Sequence, residues 1–275
     1  MKRLSALLIL IFISACSSYQ IRYISDYEKA GINYIRKARK ELSRGNLKDS
    51  QKNVDIAHDI ATKYNLPYLK VYVMLEKANI LLFFGDLSKA EYYLTETEEI
   101  IKKEAPDLYP YLITNKASLM YIKGDKEVAK TLISEIKVPP DEILAQYLIL
   151  NSISALEEKN HELFEKSLTK ALKKVKKEEN YILESYIHKL FAEYYRSRSD
   201  FTNSVNSLKN ALNTERFLNN REGIIYCLEK LAELYESQGK KDETFYYYYQ
   251  LWEITSSAGD YKRSQRYMDK ALGGM

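Results

Sequence analysis

Apolar side chains recur at three- and four-residue intervals along most of the chain. Ile225, Leu228, Leu231, Ala232 and Tyr235 fall on one helical face, as do Ile187, Leu190, Phe191, Tyr194 and Tyr195, and Val71, Met74, Ala78, Leu81 and Leu82. This spacing predicts amphipathic helices. Turn-like dipeptides punctuate them at Gly45-Asn46, Gly85-Asp86, Gly124-Asp125, Lys159-Asn160, Ser199-Asp200, Gly239-Lys240 and, off period, Gly259-Asp260. Seven residues before each of the first six stands a small residue: Ala38, Ala78, Ala117, Ser152, Ala192 and Ala232, spaced by 40, 39, 35, 40 and 40. About twelve residues after each turn come Ala57, Thr97, Ile136, Ala171, Ala211 and Leu251. The pattern predicts six helical hairpins, the fourth the least regular. A small residue lets the two helices cross closely, Gly allows a left-handed stop, and Asn or Asp caps the next helix. One hairpin cannot bury its own apolar face, so the units must stack.

These small positions and turns resemble the tetratricopeptide repeat (TPR), over residues 27 to 272. The resemblance implies an all-α fold: a TPR-like α-α superhelix, a solenoid of helical hairpins. The domain spans 27–275, and Tyr261 to Leu272 reads as a C-terminal capping helix. Two departures stand out. The period is near 40 where the family's is 34, and Pro67, Pro110, Pro139 and Pro140 lie where the following first helix should begin.

The N-terminus has a different pattern. Lys2 and Arg3 precede a ten-residue apolar run, Leu4 to Ile13, too short to span a bilayer and suited to a signal sequence. Ile13-Ser14-Ala15-Cys16 resembles the bacterial lipobox. It implies a cleaved signal peptide over 1–15, acylation of Cys16 and a short tether over 16–26; an ordinary secretory signal with a coincidental Cys is the alternative. Several acyl chains anchor stably, at about 0.8 kcal/mol per buried CH₂. Ser17, which follows the Cys, resembles the outer-membrane class, so the expected location is the envelope, at the outer membrane facing the periplasm.

Composition adds little against this picture. Nine Gly and five Pro are few, which favours long helices over a many-stranded sheet. The net charge of +4 falls by two once Lys2 and Arg3 are removed, and gives no argument for nucleic acid. Cys227 lies among apolar residues and reads as a core position. His58, His161 and His188 fall in different units, and no catalytic or metal-binding motif appears, so neither enzyme activity, a cofactor nor a metal is expected. The lysine run Lys170, Lys173, Lys174, Lys176 and Lys177 complements a helix C-terminus.

In TPR proteins the first helix of each hairpin, helix A, lines the concave face. Carried over, that register places Tyr72, Leu75, Asn79, Phe83, Tyr111, Asn115, Tyr186 and Tyr226 in a groove for a protein or peptide partner. Asn79 and Asn115 stand where family members hydrogen-bond a ligand. The basic residues that clamp a terminal carboxylate are missing there; Leu75, Gln146 and Leu150 take their places. An internal peptide segment is therefore the expected ligand. A purely structural Tyr ladder is the alternative. In Phe245-Tyr246-Tyr247-Tyr248-Tyr249-Gln250-Leu251-Trp252, Phe245, Tyr248 and Trp252 share a face and should pack inward. The whole reads as a lipid-anchored envelope scaffold that positions other proteins. TPR lipoproteins of this size resemble the pilotin of type IV pilus secretins and the helper of outer-membrane β-barrel assembly. The oligomeric state stays open.

Overall fold

The computed structural model describes residues 24–273; Cys16, the signal segment and most of the tether lie outside them. Among the described residues there are thirteen α-helices and no strand. They are α1 (Asp26–Ser43), α2 (Leu47–Lys63), α3 (Pro67–Phe84), α4 (Leu87–Glu104), α5 (Tyr109–Lys123), α6 (Lys126–Ser134), α7 (Leu144–Glu157), α8 (His161–Lys177), α9 (Tyr181–Ser197), α10 (Phe201–Phe217), α11 (Arg221–Ser237), α12 (Lys241–Ser257) and α13 (Tyr261–Gly273). Each helix packs on its neighbour in sequence, and in the first half of the chain α1 also meets α3, α3 meets α5 and α5 meets α7. The result is a TPR-like superhelical solenoid.

The turns show why the chain folds back where it does. The marked residues Gly45, Gly85, Gly124, Lys159, Ser199, Gly239 and Gly259 all have positive φ. The amide that follows each of them reaches back to a carbonyl five residues earlier: Asn46 to Glu41 at 2.8 Å, Asn160 to Ala155 at 2.8 Å, Asp260 to Thr255 at 2.9 Å. This is the Schellman stop, and it needs one left-handed residue. Asn65, Glu179 and Asn219 make the same stop between hairpins, without glycine. Capping is less uniform than expected. Asp86, Asn160, Asp200 and Asp260 accept from a backbone amide three residues on, whereas Asn46 and Asp125 make no side-chain cap bond.

Packing follows the small residues. Ala38, Ala78, Ala117, Ser152 and Ala232 are fully buried, as are Ala57, Thr97, Ala171, Ala211 and Leu251 across from them. The core is accordingly distributed along the solenoid as a run of apolar clusters. The 35-residue spacing has a local cause. Helix α6 has only nine residues, and Ile136 and the Pro139-Pro140 pair lead through a 3-10 turn, Asp141–Ile143, into α7. Helix α13 caps the end, burying Tyr267 and Ala271. Within the aromatic run the inward residues are Tyr247, Tyr248 and Leu251; Phe245 and Trp252 are half-buried and Tyr246 is exposed. The expected inward pair of Phe245 and Trp252 thus gives way to Tyr247, which stacks on Tyr235 with ring centroids 5.4 Å apart.

The superhelix curls until α1 meets α9. There Arg44 pairs with Glu179, and the Ser43 hydroxyl donates to the Glu179 carbonyl at 3.5 Å. Gly45 has φ +80°, and a Cβ there would stand 3.3 Å from Leu218. The close approach and the left-handed backbone both call for glycine.

Candidate functional site

The curl encloses a cavity of about 440 Å³, a volume within the usual range for ligand sites. Its walls come mainly from α1, α3, α5, α7 and α9, the first helices of the hairpins. A second cavity of about 310 Å³ adjoins it and shares Phe83, Ile182, Leu218 and Asn220.

Six of the eight residues expected in the groove line the larger cavity: Leu75, Asn79, Phe83, Tyr111, Asn115 and Tyr186. Asn79 is half-buried, and its amide has no hydrogen-bond partner among the described residues. Asn115, which also lines the cavity, is buried and donates from Nδ2 to the Tyr111 carbonyl at 2.9 Å. Tyr111 donates its hydroxyl to Glu142 at 3.0 Å. Burial, the neighbouring Tyr72 and Glu142 together push the Tyr111 phenol far above its ordinary range. Tyr186 is 43% exposed, yet burial raises its phenol. The two facts agree if its exposed surface faces the lumen, where protein surrounds it.

Two expected groove residues do not line the cavity. Tyr72 is half-buried behind the wall, edge-on to Tyr111 at 5.8 Å with the Arg39 guanidinium over its ring. The last lining residues in the chain are Glu215, Leu218 and Asn220. Tyr226, more than a turn into α11, is not among the lining residues; it lies between Lys189 and Lys230 and packs against the C-terminal core. Of the three residues replacing the clamp, Leu75 and Gln146 line the cavity, while Leu150 is buried between α5 and α6.

The lumen also carries charges that the groove register passed over. Arg39 donates from Nε to Glu76 at 2.9 Å; Glu76 is 1% accessible and Arg39 33%. Glu215, also nearly fully buried, accepts from Lys189, from the Ser185 hydroxyl at 2.6 Å and from the Asn220 amide at 2.8 Å. Buried carboxylates demand such partners, because desolvation otherwise outweighs any benefit. The register did contain a signal. Arg39 stands one past Ala38, as Asn79 does past Ala78; Glu76 stands two before Ala78, as Asn115 does before Ala117.

Elsewhere the chemistry is quiet. Cys227 is fully buried, and burial pushes its thiol up to about 12. No group of His, Cys, Asp or Glu among the described residues is arranged to hold a metal ion. No helix among them is long and apolar enough to cross a membrane.

No family model matches the chain, and no curated protein does. Among solved structures, it is similar to a signal transduction ATPase with numerous domains that has a tetratricopeptide repeat sensor, from Pyrococcus horikoshii. The TM-score is 0.54 at 19% identity; the match covers 90% of this chain and 39% of that one. At that identity the likeness establishes the fold alone, and the fold is a TPR-like solenoid.

Proposed function

We propose that the protein is a lipid-anchored scaffold of the bacterial cell envelope. It is tethered through Cys16, acts by binding and not by catalysis, and holds a short segment of a partner protein in its lumen. The observation that carries this reading is the Asn79 amide, which has no partner and lines a ligand-sized cavity beside Asn115. An extended peptide offers backbone donors and acceptors that such amides complement. Leu75, Phe83 and Ile122 add apolar surface. TPR-like solenoids are generally protein-interaction modules.

The test is an affinity pull-down from detergent-solubilised envelope with the full lipoprotein, beside the double variant Asn79→Ala, Asn115→Ala. The expected result is a partner recovered by the wild type and reduced at least tenfold with the variant, whose thermal melt stays the same. Undiminished recovery would sink the lumen as the site. Recovery of a secretin would identify the process as pilus assembly. Radiolabelled palmitate checks the anchor: wild type takes up label and Cys16→Ser does not.

A further inference from the structure

Charge inside the lumen is unbalanced. Two cations line it, Arg39 and Lys189, against four carboxylates, Glu76, Glu142, Glu178 and Glu215. Arg39 is held by Glu76, and Lys189 by Glu215. Glu178 pairs with Lys174 at 2.7 Å. Glu142 is different: among the described residues it accepts only the Tyr111 hydroxyl and has no cation within ion-pair distance. Outside the cavity, exposed Asp107 stands near Tyr72 and among the described residues accepts only a hydroxyl, from Tyr68 at 2.7 Å. Around the Tyr72–Tyr111 pair one guanidinium therefore faces Glu76, Glu142 and Asp107. A concave wall with low-dielectric backing concentrates such an excess of negative charge. The lumen's mouth is apolar. Phe83 and Ile122 line it, yet they are 43% and 54% exposed, and Phe83 and Leu218 continue into the second cavity. Large exposed apolar side chains beside a cavity mark a binding edge.

We infer that the lumen takes a peptide segment of the partner with a lysine or arginine side chain reaching Glu142 and apolar side chains seated on Phe83, Ile122 and Leu218. This deepens the scaffold reading and rests on it. An acidic segment, or a free terminal carboxylate, meets only cations that already have partners.

Fluorescence anisotropy with the full-length protein tests this. The probes are three fluorescein-labelled, C-terminally amidated hexapeptides of alternating leucine, identical except at two positions that are lysine, glutamine or glutamate. The lysine peptide is expected to bind at least tenfold more tightly than the glutamate peptide, with the glutamine peptide between. Glu142→Gln should weaken the lysine peptide at least threefold and leave the glutamine peptide within twofold. Phe83→Ser should weaken all that bind. Equal binding of the three, or a preference for glutamate, overturns the charge preference and leaves the lumen reading standing. Binding insensitive to Phe83→Ser overturns the site. No binding of any peptide overturns the peptide inference, while the asparagine-variant pull-down still judges the scaffold reading independently.

Discussion

His188 sits on α9, 7% exposed, with Glu184 3.9 Å from its Nε2. Burial first, and the Lys176 charge second, push its pKa down to about 4 from an ordinary 6.5. The folded protein thus binds this proton less readily than the unfolded chain. The stability from keeping His188 neutral is complete above about pH 6.5 and is lost as pH falls from there through about 4. Full loss amounts to roughly 3 kcal/mol. Urea midpoints measured between pH 7.5 and 4.5 should fall steadily for the wild type, and much less for His188→Gln. A flat wild-type profile would mean the imidazole protonates in place. Single residues also explain what the chain did not disclose. Taken singly, the lumen-lining Arg39 and Lys189 look like any solvated helix charge, and only the repeat register marks Arg39, one past Ala38. Their partners Glu76 and Glu215 lie 37 and 26 residues away, and no local pattern joins residues so far apart.

Among the elements, α6 is the weak one. Its nine residues bury only Ala129 and Ile133, against four to seven buried residues in α2, α4, α8 and α10. Fewer buried contacts mean cheaper local opening. Hydrogen exchange should therefore be faster over residues 126–140 than in any other second helix of a hairpin; equal protection would contradict this. The shortened spacing before Ser152 already marked this hairpin in the sequence. So did the turns within hairpins, because glycine and the dipeptide pattern advertise a left-handed stop. The turns between hairpins were hidden, since Asn65, Glu179 and Asn219 adopt the same conformation without glycine's signature. The aromatic run misled for a related reason. Helical spacing offers several faces when five rings are consecutive, and only contact with Tyr235 and with the cap selects Tyr247 and Tyr248.

At the scale of the whole molecule, repetition and small-residue spacing carried the all-helical superhelix, but nothing in them set its curl. That depends on how successive hairpins rotate, and it brings Arg44 to Glu179 across 135 residues. Arg44→Glu should replace this attraction with repulsion. Small-angle scattering would then show a larger radius of gyration than the wild type, with helical content by circular dichroism unchanged. An identical radius would show that the remaining contacts, the Ser43–Glu179 hydrogen bond and Leu218 packing, hold the curl. A stack of hairpins that touch only their neighbours behaves as a soft spring, lengthening smoothly under tension. Fastened between its first and fifth hairpins, the same stack becomes a clasped bracelet. Pulled from its ends, it resists until the clasp lets go, lengthens in one step, and snaps shut again when the load is removed.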